Sequence, residues 1–217
     1  MRLSLVQKRT CIVPTWRGWL VLLLITVIAT VVTIRGAYYF LAPNDPTPGG
    51  LLVLEGWEPD YVLKETVAEL RCNHYEAVVV TGEPIDKGLP LSEYENYGVL
   101  TVTVLERMGA DPAMLHVARW APVLRDRTFI SAVALRTWLR EHGLAGKPIN
   151  LVCCGAHSRR SRLLYERTLG TKVGVIAVED QSFEPERWWT SSAGFRNVTG
   201  EMIAYLYARF IFQAPNL

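Results

Sequence analysis

The sequence predicts a Rossmann-like α/β domain, a three-layer sandwich on a mostly parallel sheet, preceded by one transmembrane helix. Three observations predict it. From Leu51 onward, short continuous apolar runs alternate with longer amphipathic segments, the pattern of strands buried on both faces and joined by crossover helices. A long uncharged apolar run, Gly18–Ile34, precedes them. Between the two, residues 43–50 hold three prolines and two glycines, which excludes helix or central strand.

The N-terminal segment is basic as well as apolar. No acid occurs before Asp45, whereas Arg2, Lys8, Arg9, Arg17 and Arg35 all lie there. A helix from Gly18 to Ala42 reaches roughly 37 Å at about 1.5 Å per residue, enough to span a bilayer core. Trp16 and Trp19 mark one interface and Tyr38 and Tyr39 the other, and Arg35 snorkels along its own stem. Residues 1–17 then form a basic cytoplasmic tail, 18–42 the anchor and 43–50 a linker, and the positive-inside rule places the domain at 51–217 outside the cytoplasm. A cleaved signal peptide is the competing reading; the run is long for one, and Arg35, Gly36 and Ala37 make a poor cleavage site.

Within the domain, Leu51–Leu54 reads as a strand and Asp60–Arg71 as a helix with Val62, Leu63, Val67 and Leu70 on its apolar side. Ala77–Thr81 is a strand closed by Gly82, and Ser92–Met108 a helix ended by Gly109. Leu115–Ala118 is a short strand, and Arg127–His142 a helix ended by Gly143. Ile149–Cys154 is a strand, Arg159–Leu169 a helix ended by Gly170, and Val173–Val178 a strand. Arg196–Phe212 closes the domain, with Ile203, Leu206, Tyr207 and Phe210 on one face.

Ligands in such sheets bind outside the carboxyl ends of the strands, so the strand-to-helix loops are where chemistry is expected. Loop one holds Glu55, loop two runs from Gly82 and Glu83 to Ser92 and Glu93, loop three holds Arg125, Asp126, Arg127 and Thr128, and loop four holds His157, Arg159, Arg160 and Arg162. Three arginines in a first helical turn oppose the helix dipole at about 0.3–1 kcal/mol each, where free N–H groups already favour an anion. A bound anion and a solvated basic face are the two readings. Arg127, after Asp126 as N-cap, repeats the conflict. Ser92 with Glu95 reads as a capping box that needs no ligand; Glu93 is left over from it. His157 beside the arginines suits a donor, a general acid or a base.

Other chemistry is less well supported. The four histidines are scattered without zinc spacing. Cys153 and Cys154 point to opposite faces of one strand and read as buried small hydrophobes; Cys154 as a nucleophile lacks a third partner, and a disulfide involving Cys72 is not fixed by the sequence. Neither phosphate-binding glycine motif is present. Beyond the N-terminal segment the charge is near balance, which argues against nucleic acid as a partner.

The residues Val80 to Gly82, Ser92 with Glu93, Arg127 with Thr128 before an alanine-bearing helix, and His157 to Arg160 after an apolar strand occur in a characteristic order. In them the segment Leu51–Phe212 resembles a bacterial family of domains of unknown function typified by YdcF, SanA and ElyC; Trp188 and Glu201 also fit its C-terminal pattern. The resemblance implies a Rossmann-like fold, often behind one membrane helix. It implies roles in envelope biogenesis, in peptidoglycan or other polysaccharide, and in undecaprenyl-linked lipid metabolism. The first loop departs from it, since many members carry small residues where Glu55 and Trp57 stand.

The expectation is therefore a protein anchored in the cytoplasmic membrane that binds a phosphorylated, polyprenyl-linked ligand and hydrolyses or transfers its phosphoryl group. Arg127, Thr128, Arg159, Arg160 and Gly82 are its expected ligand-binding residues, and His157, Glu93 and Glu55 its catalytic ones. No residue is assigned to a metal, and the cofactor is open, a divalent metal with the phosphate being allowed. A non-catalytic module docking envelope-synthesis proteins is the alternative, and a nucleotide-type transferase using S-adenosylmethionine a third reading.

Overall fold

An apolar helix and an α/β domain account for the residues described, 14–85, 93–123 and 125–214, in the computed structural model. The chain divides into two units, residues 1–36 and 37–217. Helix α1, Trp16–Leu41, is long and apolar enough to cross a membrane. Its Thr26 hydroxyl donates to the Leu22 carbonyl at 2.8 Å, so that polar atom needs no partner from outside the helix.

The second unit is an all-parallel five-stranded sheet in the order β3-β2-β1-β4-β5. The strands are β1 (Leu51–Glu55), β2 (Ala77–Gly82), β3 (Leu115–Arg119), β4 (Ile149–Cys154) and β5 (Gly174–Val178). Their crossovers are α2 (Asp60–Cys72), α3 (Tyr97–Arg107), α4 (Arg127–Glu141) and α5 (Ser158–Leu169), and α6 (Ser192–Phe210) closes the chain. Alternation along each strand feeds two cores. Leu51, Val53, Val79, Leu151 and Cys153 face α4 and α5 through Leu135, Trp138 and Tyr165. Leu52, Leu54, Val78, Val80 and Val152 face α2 and α3 through Val62, Leu63, Val67 and Leu105. The predicted three-layer fold is the observed one, and Cys153 and Cys154 do point to opposite faces.

Four details differ from the sequence expectation. Helix α3 starts at Tyr97 rather than Ser92, because Asn96 caps it, accepting from the Gly98 N–H at 2.8 Å. Ser92 lies outside the described residues. Asp126 stands at the N-cap of α4 but makes no side-chain cap; it holds a left-handed backbone at φ 58°, a conformation L-residues adopt at a cost. The linker is strapped to the sheet: Asp45 bridges Val175, and the Asn150 amide both accepts from Thr47 N–H at 2.7 Å and donates to its carbonyl at 2.6 Å. Gly174 lets the strap pass, since a Cβ there would stand 2.1 Å from Asn150 Oδ1.

The fourth difference concerns α6. It starts at Ser192 rather than Arg196, and the face that gathers Ile203, Leu206, Tyr207 and Phe210 is exposed, with Ile203 69% and Phe210 77% accessible. The helix instead buries Gly194, Val198 and Ala208. Small residues allow close approach on that side, and Arg167 on α5 donates to the Ala208 and Arg209 carbonyls, satisfying groups a helix C-terminus leaves open. The last turn of α1 joins the same layer, with Tyr38 and Leu41 buried against Ala156, Trp188 and Val198.

Candidate functional site

Strand order reverses between β1 and β4, the first strand and its later neighbour. Such a switch point opens a crevice at the carboxyl ends of the strands. Glu55 is the last residue of β1, fully buried. His157 ends the short turn Gly155–His157 that follows β4. The crevice therefore brings together two loops that are far apart in sequence.

His157 sits between two carboxylates. Its Nε2 lies 2.9 Å from Glu55 Oε2, and its Nδ1 lies 3.1 Å from Glu201 Oε1, supplied by α6. Arg160, one turn into α5, forks onto Glu201 with Nε–Oε2 at 2.8 Å and Nη2–Oε1 at 3.0 Å. Its Nη1 donates to the Thr128 hydroxyl at 3.3 Å, at the start of α4. Burial works against a charged imidazole, yet the hydrogen bonds to Glu201 and Glu55 outweigh it and push His157 up to about 10. Burial likewise works against the Glu201 carboxylate, but His157 and Arg160 hold it down at about 2. At neutral pH His157 is thus an imidazolium donating from both nitrogens. Its Nδ1 then has no lone pair for Arg160 Nη2, 2.9 Å away; loss of the Nδ1 proton creates that acceptor. Two basic side chains thus face two acidic ones, and Glu55 Oε1 is buried with no hydrogen-bond partner among the described residues.

A cleft of about 520 Å³ opens beside this cluster. Arg125, Arg127, His157 and Arg160 line it, with Asp126 the acid in its lining. Phe129, Leu164, Tyr207 and Phe212 give it an apolar wall. Arg127 is held in place: its guanidinium lies 4.9 Å from the Trp57 ring centroid and pairs with Glu83, while Trp57 stacks edge-on against Trp120 at 6.5 Å.

Of the residues expected from sequence, Glu55, His157, Arg160, Arg127 and Thr128 are brought together. Glu93 is exposed and does not line the cleft; the carboxylate loop two brings to Arg127 is Glu83. Gly82 does not line the cleft. A Cβ there would stand 2.4 Å from Gly98 N, so the glycine lets α3 approach β2. Arg159 turns the other way: it donates to the Phe40 carbonyl and lies 4.1 Å from the Phe40 ring centroid, closing the last turn of α1. Arg162 pairs with Asp45 at 3.0 Å and Glu166 at 3.2 Å. All three arginines that oppose the helix dipole have such compensating partners.

Glu201 and Glu58 were not singled out as site residues. Glu201 had a legible signal, being the sole acid within α6. Glu58, 8% exposed, accepts from the Cys154 N–H at 3.4 Å. Burial, with Glu55 adding to it, pushes its carboxyl up to about 8 against the pull of His157. A raised carboxyl pKa means the folded state holds a proton the unfolded chain has lost. Its contribution to stability is complete below about pH 4.5 and disappears as pH rises through about 8. Glu58→Gln should accordingly flatten the alkaline side of the stability profile, melting higher than the parent at pH 9 and the same at pH 5. Parallel pH curves of thermal midpoint would contradict this. Behind it, Cys154 Sγ lies 3.0 Å from the Tyr61 hydroxyl, and burial pushes the thiol up to about 12, which keeps it a poor nucleophile.

The fold and cleft define a class: an all-parallel α/β domain with a charged, half-apolar cleft at its switch point, in a chain with one potential membrane-spanning helix. Compared with protein-family models, curated proteins and solved structures, the chain matches none. Among the described residues no group of three or more histidine, cysteine or acidic side chains is placed to hold a metal ion.

Proposed function

We propose that the cleft binds a phosphorylated amphiphile, of the polyprenyl-linked kind used in envelope biogenesis, and hydrolyses or transfers its phosphoryl group. One observation carries this reading: a cationic end and an apolar wall share one cleft. Arg125, Arg127 and Thr128 at the start of α4 would meet the anion, with backbone N–H groups there adding to them. Arg159 is left out of the ligand set, because Phe40 occupies it.

His157 is fitted to stabilise charge or to donate a proton, and not to serve as a base at neutral pH, because it is already protonated there. Arg160 and Glu201 position it. Catalysis would rest mostly on positioning and charge stabilisation. The likeness to the YdcF family and the basic flank of α1 support a cytoplasmic-membrane location with the domain on the outer side.

The full chain in detergent micelles, given a polyprenyl phosphate, should bind it, and Arg127→Ala should weaken binding about tenfold or more, the loss of one charge-assisted contact. Unchanged binding by Arg127→Ala would sink the reading. Release of phosphate from a polyprenyl pyrophosphate, with and without divalent metal, separates an enzyme from the non-catalytic alternative. That alternative is favoured by one feature, the pairing of His157 and Arg160 with Glu201, which holds the start of α5 to α6.

A further inference from the structure

The apolar face of α6 and its cap residue Ile211 is exposed, with only the Phe212 ring, among the described residues, beside Tyr207 at 6.2 Å. Ile203, Leu206, Tyr207, Phe210 and Ile211 are 69%, 44%, 45%, 77% and 68% accessible. A contiguous exposed face of this kind marks a surface that something covers. The charges exposed on α6 are Arg196 and Arg209, while its one acid, Glu201, is turned inward to His157 and Arg160. On its other side α6 seats the end of α1. The Phe40 and Tyr205 rings meet at 5.6 Å, and Tyr38 and Leu41 share a cluster with Val198, Met202 and Tyr205. From these residues the chain runs directly into the apolar stretch of α1.

We infer that α6 is an interfacial helix, with Ile203, Tyr207, Phe210 and Ile211 immersed at the headgroup boundary of the bilayer that α1 crosses. An apolar face with aromatics, flanked by arginines and free of exposed acid, is the composition that lies in such an interface. A second copy of the chain fits less well, because a two-fold contact centred near Arg209 would set like charges against each other. Tyr207 belongs both to this face and to the cleft lining. The apolar wall of the cleft is therefore continuous with the immersed surface, and an amphiphile enters from the bilayer without crossing water. The immersion itself holds whatever the cleft binds.

The test uses the full chain with Cys11→Ser and Cys72→Ser, which leaves the buried Cys153 and the half-buried Cys154. Ile203→Cys, Phe210→Cys and, as a control, Lys172→Cys (65% exposed side chain) are labelled with an environment-sensitive fluorophore. Each is reconstituted into vesicles of phosphatidylcholine and phosphatidylglycerol, and signal from Cys154 is subtracted with the unsubstituted parent. Lipids spin-labelled near the headgroup should quench the labels at 203 and 210 about twofold or more, and leave 172 near its unquenched level. Labels at 203 and 210 that behave like 172 would overturn the inference. So would labels shielded from both lipid and aqueous quencher that cross-link between copies, the result for a dimer face.

Discussion

Replacing Glu201 with alanine is expected to cost about 3–5 kcal/mol, because it leaves the half-buried Arg160 guanidinium without its carboxylate and His157 with Glu55 alone. Against the 5–15 kcal/mol typical of a folded domain, that is enough to lower the melting temperature steeply. Glu201 accepts from both His157 and Arg160, and its side chain is only 18% exposed. The pH profile gives a second signature. Glu201 is held at about 2, so its contribution is complete above about pH 4.5 and is lost as pH falls toward 2. His157 has the opposite sign. Raised to about 10, it contributes fully below about pH 6.5 and loses that contribution as pH rises through 10. Glu201→Ala should flatten the acid limb and move the alkaline limb to lower pH, since His157 keeps only Glu55. Thermal melts of the full chain in micelles from pH 3 to pH 10 would read both limbs. A variant with unchanged limbs and an unchanged midpoint would refute the cluster's stabilising role.

Removing residues 1–50 is expected to be far more damaging than removing residues 1–36. Tyr38 and Leu41 are 4% and 0% exposed and belong to the core beneath α6. Deleting a buried leucine and a buried aromatic costs about 5–10 kcal/mol by the usual values for such losses. The shorter chain also loses the Phe40 carbonyl that Arg159 occupies and the strap that ties Asp45 to Val175. Chains 37–217 and 51–217 can be compared by circular dichroism during heating. Equal melting would show that the last turn of α1 is not part of the domain's core. The boundary expected from sequence was Leu51, because prolines and glycines mark the linker and the anchor before it is apolar apart from Arg35. Apolar periodicity cannot tell a turn that faces lipid from one that faces protein.

The strands show where sequence suffices. Each is a short apolar run closed by a glycine or a charged loop, and burial on both faces forces that composition. The order of charged loops along one sheet edge follows from parallel strands and right-handed crossovers, so Glu55, Arg127, Thr128 and His157 were legible as neighbours. Loop two was not. Glu93 and Glu83 differ in nothing that composition records, and only the cap at Asn96 decides where the loop ends and α3 begins.

The arginines of α5 show the opposite limit. Their conflict with the helix dipole was visible in the sequence and asked for negative charge nearby. Sequence could not say from where it comes. Arg159 meets the end of α1, Arg160 meets α6, and Arg162 meets the strap. The same limit applies to α6, whose apolar stripe is legible in the sequence but whose exposure is not. The sequence by itself determined the layers, the strand sequence and the presence of an apolar helix, because these depend on local periodicity and burial. The tertiary structure decided which charge neutralises which, which face of α6 stays open, and where the domain begins. Those depend on contacts between segments 40 to 120 residues apart, whose partners are selected by geometry that no local pattern encodes.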